Sequence, residues 1–118
     1  MKEKVLITGA SGFIGYHLIV AALQKGLAVC AAVRPGSVVD HLKDYDIEYC
    51  ELDYTNEALL TKQLAVTGCN YIIHAAGATR AGSQQAYDTI NAEYTFNLAS
   101  AALKVPHKIT RFVFMSSL

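Results

Sequence analysis

Apolar residues in this chain come in short continuous runs separated by longer stretches in which they recur every three or four positions, the signature of strands alternating with helices. Residues 5–8 (Val-Leu-Ile-Thr) form a first predicted strand, and residues 12–25 a helix with Ile14, Leu18, Ala21 and Ala22 at helical spacing. Gly26 is its stop signal. The apolar run 27–33 reads as a second strand covered on both faces, ended by Pro35-Gly36. Residues 37–45 are polar and weakly helical, and residues 47–52 form a third strand. Thr55 is then placed to cap a helix through Leu59, Leu60 and Leu64 to Val66, closed by Gly68. Residues 71–76 make a fourth strand. A long helix over 83–103 carries Ile90, Tyr94, Leu98 and Ala101 on one face, and Pro106 follows it. Residues 111–115 form a fifth strand that runs into Ser116-Ser117-Leu118.

Strands and helices in strict alternation imply right-handed crossovers and a parallel sheet. The turn between the first strand and the first helix narrows this further. It reads Thr8-Gly9-Ala10-Ser11-Gly12-Phe13-Ile14-Gly15, with three glycines spaced as a pyrophosphate-binding turn requires. Gly9 permits the tight turn, Gly12 removes a side chain where phosphate must approach, and Gly15 lets the helix lie close to the strand. The helix then aims its unpaired N–H groups at the anion. No Gly-Lys-[Ser/Thr] follows the turn, which disfavours a P-loop. The expected fold is therefore α/β, a Rossmann doubly wound parallel sheet of strand order 3-2-1-4-5, with a dinucleotide across the switch point between strands 1 and 4.

An Arg stands where an NAD-preferring fold would place an acid to hold the ribose 2′-hydroxyl. Arg34 lies nineteen residues after Gly15 and suits a 2′-phosphate, so NADP is the expected cofactor, with NAD the alternative. Ser37 is placed to add a hydrogen bond to the same phosphate. The competing reading of Arg34 is a solvated loop charge.

Composition changes this picture little. With 118 residues the chain forms one domain able to bury roughly two-thirds of its unfolded surface. Ten basic and ten acidic residues cancel, which removes the electrostatic argument for nucleic acid or an anionic membrane as partner. Three cysteines, Cys30, Cys50 and Cys69, form no C-x-x-C pair and read as small core residues with reduced thiols, consistent with a cytoplasmic location. No apolar stretch is long enough for a signal peptide core or a membrane span. His17, His41 and His107 lack metal-ligand spacing, so no metal site is expected. His74 has no carboxylate or nucleophile at a spacing that would make it part of a relay, and is expected to pack within or beside strand 4.

The turn motif, His74-Ala75-Ala76-Gly77, the stretch Asn91-Ala92-Glu93-Tyr94-Thr95-Phe96-Asn97-Leu98 and Arg111-Phe112-Val113-Phe114-Met115-Ser116-Ser117 occur together and in order. In this the chain resembles the N-terminal, cofactor-binding half of an extended short-chain dehydrogenase/reductase of the epimerase/dehydratase and dihydroflavonol-reductase-like type. The resemblance covers essentially all 118 residues. It implies that Gly9, Ser11, Gly12, Phe13, Ile14, Gly15 and Arg34 bind the cofactor, and that Ala75, Ala76 and Gly77 leave it room. It places Asp53-Tyr54 where a carboxylate accepts a hydrogen bond from the adenine amino group, and makes Ser117 the catalytic serine with Ser116 as fallback. Thr79 and Arg80 fall on the nicotinamide and substrate side, and Asn91 at a position that hydrogen-bonds into the active site.

The family's proton donor is a tyrosine followed four residues later by lysine, which lowers the phenol's pKa. None of the seven tyrosines here has that partner. The chain ends at the carboxyl end of a strand, so it is expected to be a truncated piece: it would bind cofactor without turnover and leave strand 5 with an open edge and one bare apolar face. A homodimer induced by that exposure is expected. The parent would be an NADP-dependent oxidoreductase, epimerase or dehydratase acting on a sugar nucleotide or small carbonyl compound. The alternative is a non-catalytic NADP-sensing or scaffold protein.

Overall fold

A computed structural model describes residues 2–34, 36, 37, 39–75 and 84–115, the side chains of 84–90 excepted. Its elements in order are β1 (Lys4–Thr8), α1 (Phe13–Gln24), β2 (Ala28–Ala32), a 3-10 turn (Asp40–Leu42), β3 (Glu48–Cys50), α2 (Glu57–Thr67), β4 (Tyr71–His74), α3 (Gln84–Lys104) and β5 (Arg111–Phe114). The five strands form one parallel sheet in the order β3-β2-β1-β4-β5. This is the expected doubly wound Rossmann sheet, with β1 and β4 flanking the switch point.

The two-residue period of the strands sorts side chains between two cores. Val5 and Ile7 of β1 with Val29 and Ala31 of β2 pack against Ile19 and Ala22 of α1 and against Leu42. Leu6, Cys30 and Ile72 face the other way, onto Leu60 and Leu64 of α2 and Leu98 and Ala101 of α3. Continuous apolar runs in the sequence are thus strands read on both faces.

Three local readings change. Asn56, not Thr55, caps α2, its Oδ1 accepting the Leu59 N–H at 3.1 Å. Thr55 is drawn into a turn with Asp53, to whose Oδ1 it donates both its N–H (2.9 Å) and its hydroxyl (2.5 Å), so the helix starts later. The weakly helical stretch 37–45 yields only the 3-10 turn, because among its described residues Leu42 alone is fully buried and can anchor it. Cys50 is half-buried on the edge strand β3, whereas Cys30 and Cys69 are buried as expected, and no disulfide joins the three.

At the other edge Val113, Phe114 and Met115 are 43%, 49% and 39% exposed. No described helix is long and apolar enough to cross a membrane.

A candidate dinucleotide site at the switch point

The chain leaves β1 through Gly9, whose φ of +66° lies in the left-handed region that glycine adopts without steric cost. The Gly9 carbonyl accepts the Gly12 N–H at 3.1 Å, closing the turn, and the Gly12 carbonyl accepts the Tyr16 N–H at 2.9 Å, opening α1. Gly15 is buried against this turn. A Cβ there would lie 2.2 Å from the Gly9 carbonyl oxygen and 2.7 Å from Ala10 Cα.

Gly12 behaves differently. It is the N-cap of α1, with φ −84° and ψ 176°, a conformation open to any residue, and an added Cβ would meet nothing nearer than 3.4 Å. Helix N-caps favour Ser, Thr, Asp or Asn, whose side chains satisfy the first N–H groups. Among the described residues no side-chain cap is made at Gly12, and no acid sits in the first turn. The helix therefore offers uncapped donors and the positive end of its dipole beside an exposed, side-chain-free position, which fits an anionic group such as a pyrophosphate. Phe13 (80%) and Ile14 (50%) are exposed in that same turn. Beside it lies a cavity of about 390 Å³ lined by Ser11, Gly12, Phe13, Tyr16, His17 and His41.

Arg34 leaves the sheet two residues after β2, whose end pairs with that of β1 through Thr8 and Ala32. It is exposed, and its carbonyl accepts the Ser37 N–H at 3.0 Å. Among the described residues no carboxylate forms an ion pair with its guanidinium. Asp53 and Tyr54 follow β3. The Thr55 hydroxyl, and then the Thr55 N–H, hold the Asp53 carboxyl below the usual carboxylate range. Burial pushes the Tyr54 phenol up, against the opposing pull of the Thr8 hydroxyl and the Arg34 charge.

At the carboxyl ends of β1 and β4 lies a polar knot in an apolar sheet. Thr8 Oγ1 lies 2.7 Å from His74 Nδ1 and accepts the Ala75 N–H at 2.9 Å, tying the ends of β1 and β4 together. The one hydroxyl thus bridges the Ala75 backbone and the imidazole ring. His74 is 1% exposed, and burial lowers its pKa to about 4. Its ring lies among Tyr54, Phe112 and Phe114, at centroid distances of 5.9, 6.3 and 5.7 Å.

Sequence reading missed Thr8, Gln63 and Asn97 as shaping residues. Thr8 is the hydroxyl that ends an otherwise apolar strand, a visible signal; the two amides have none, since their partners are backbone groups far along the chain. Asn91, in α3, is partly buried, and its carbonyl accepts the Thr95 hydroxyl at 2.8 Å. Ala76, Gly77, Thr79, Arg80, Ser116 and Ser117 lie outside the described residues.

The parallel sheet, the glycine turn at its switch point and the uncapped helix behind it define a Rossmann-type domain. Residues 5–118 match the model of the NAD dependent epimerase/dehydratase family. The chain belongs to that family. It is 35% identical to a UDP-glucose 4-epimerase of Klebsiella pneumoniae over 97% of this chain and 88% of that protein. A ceramide reductase of Caulobacter vibrioides is 31% identical over 97% of this chain and 34% of its own length. Among solved structures, UDP-glucose 4-epimerase from Bifidobacterium longum in complex with NAD+ and UDP superposes with a TM-score of 0.76 at 28% identity, over 97% of this chain and 37% of that one. The chain thus spans most of the Klebsiella protein but about a third of the other two.

Proposed function

We propose that this chain is the cofactor-binding part of an NADP-dependent oxidoreductase, epimerase or dehydratase. The observation that carries the reading is Gly12: a glycine its own fold does not require, at the uncapped N-terminus of α1, beside the switch point. In this reading the N–H groups of the first turn of α1 hold the pyrophosphate, with Gly9 and Gly15 shaping the turn and Ser11, Phe13 and Ile14 lining it. Arg34 takes the 2′-phosphate, Asp53 and Tyr54 the adenine end, and Ala75, Ala76 and Gly77 the nicotinamide side. When bound, the nicotinamide supplies hydride transfer; the chain's own residues orient it and screen it from water.

Ser117 is the hydroxyl we assign to a substrate oxygen. A tyrosine with a lysine four residues on, which this sequence does not contain, would move the proton, so the chain alone is expected to bind NADPH without turnover. The substrate class is a sugar nucleotide or small carbonyl compound. The names of the epimerase relatives from Klebsiella and Bifidobacterium favour the sugar nucleotide.

Fluorescence titration with NADPH and NADH tests the cofactor assignment. Arg34→Ala is expected to weaken NADPH by about tenfold or more and NADH by less than about twofold, since only the former offers a phosphate to a charge-assisted pair. Equal losses would show that Arg34 is a solvated loop charge.

A further inference from the structure

The short turn after β3 is held by side chains from two helices. Gln63 of α2 accepts the Asp53 N–H on Oε1 at 2.8 Å. Asn97 of α3 donates its Nδ2–H to the Tyr54 carbonyl at 2.7 Å. Both amide side chains are partly buried. Between these two bonds the Tyr54 ring stacks on Tyr94 of α3, centroids 5.2 Å apart and planes within 18°. Within the turn, Thr55 fixes Asp53 Oδ1 with two donors.

Each clamp does something the others cannot. The Gln63 bond sets the peptide plane entering Asp53, the Asn97 bond sets the plane leaving Tyr54, and the Thr55 bonds fix the carboxylate's rotation. With Oδ1 occupied by Thr55, the direction of the remaining carboxylate oxygen is determined by the turn. Such pre-organisation matters for one hydrogen bond to a flat heterocycle, because a carboxylate free to rotate must lose that freedom on binding. Nothing in the packing of α2 against α3 calls for two amides reaching back to loop backbone; an apolar pair would serve the core equally well.

We propose that Gln63 and Asn97 are positioning residues that lock residues 53–55 as a preformed adenine-reading turn, so that Asp53 discriminates a 6-amino purine from a 6-oxo purine. The inference rests on the assignment of Asp53 to the adenine end. Asn97 supplies a donor and Gln63 an acceptor, so conservative changes separate the two roles. Gln63→Glu keeps an acceptor for the Asp53 N–H, whereas Asn97→Asp removes the donor and sets a carboxylate against the Tyr54 carbonyl.

The test is calorimetric titration of the 118-residue chain with ADP and with inosine diphosphate, which replaces the amino group by a carbonyl oxygen. The wild-type chain should prefer ADP by about tenfold or more, the scale of a hydrogen bond to a charged group. Asn97→Asp and Gln63→Ala should reduce that ratio to below about threefold, and Gln63→Glu should restore it, with far-UV circular dichroism confirming folding in each case. A purely structural role would lower both affinities together and leave the ratio intact, which overturns the proposal. Should Asn97→Asp fail to fold, the Gln63→Ala and Gln63→Glu pair decides the matter alone. If Asp53→Asn collapses the ratio while the amide variants do not, only the positioning role fails; if the wild-type chain shows no preference, the adenine assignment of Asp53 fails as well.

Discussion

Replacing Gly15 with alanine is expected to destabilise the fold by about 3 kcal/mol and to lower dinucleotide affinity by about a hundredfold or more, because the added methyl has nowhere to go. Its nearest neighbours would be backbone atoms of the turn, the Gly9 carbonyl oxygen at 2.2 Å and Ala10 Cα at 2.7 Å, not the tip of a side chain that could swing away. Relief requires α1 to lift off the turn. That movement would break the Gly12 N–H bond to Gly9 and redirect the helix N-terminus whose donors we assign to the pyrophosphate. Gly12→Ser makes the opposite prediction and serves as the control. A side chain fits there and can cap the helix, so stability should hold or rise by up to about 1 kcal/mol while affinity falls, the hydroxyl now occupying the anion's place. Denaturant unfolding combined with NADPH titration separates the two. A Gly15→Ala chain that keeps both its midpoint and its affinity would show that helix and turn are not in the close approach described.

Acid should destabilise this protein through His74. The ring is buried and hydrogen-bonded to Thr8, and burial lowers its pKa to about 4, against an ordinary value near 6.5 in the unfolded chain. Because the folded value is the lower one, the unfolded state takes up the proton first as pH falls. The contribution is therefore fully present above about pH 6.5, is lost progressively down to about pH 4, and amounts to about 3 kcal/mol over that window. Asp53 and Glu57, whose pKa values are lowered by hydrogen bonds from Thr55 and from Lys104, shift stability in the same direction, but both are partly exposed titrating groups that a His74 variant retains. The measurement is urea unfolding of the wild-type chain and His74→Gln at several pH values from 7 to 4. Glutamine can hydrogen-bond Thr8 as donor or acceptor but does not titrate. The wild-type curve should fall more steeply, by about 3 kcal/mol in total; parallel curves would mean that His74 does not sit neutral in the core.

Much of this site was legible because its chemistry is local. Gly9, Gly12 and Gly15 act within a single turn, so their spacing carries the geometry, and Arg34 is identified by its distance along the chain from that turn. The alternation of runs implied a parallel sheet with right-handed crossovers, and the glycine turn after the first strand pointed to its doubly wound order. Local competition is where reading failed. Thr55 and Asn56 are both good N-caps, and only the capture of Thr55 by the Asp53 carboxylate decides between them. Gly15 was expected to let the helix lie close to the strand, and its tightest approach is to the turn that leaves that strand. His74 was assigned to packing, which its burial agrees with, but its bond to Thr8, sixty-six residues away, is invisible to any window on the sequence.

The sequence by itself determined the alternation of strands and helices, the parallel sheet and the glycine turn, since these follow from hydrophobic period, handed crossovers and the absence of side chains at fixed spacings. Only the tertiary structure decided how the strand ends beside that turn are held. Thr8 meets His74 and Ala75, Gln63 meets Asp53, and Asn97 meets Tyr54 through single polar atoms brought together by packing, and none of those pairings has a period, a spacing or a composition that a linear chain could display. Hydrophobic burial is collective and leaves its pattern along the sequence, whereas a hydrogen bond between distant elements depends on the final fold placing two atoms within about 3 Å of each other.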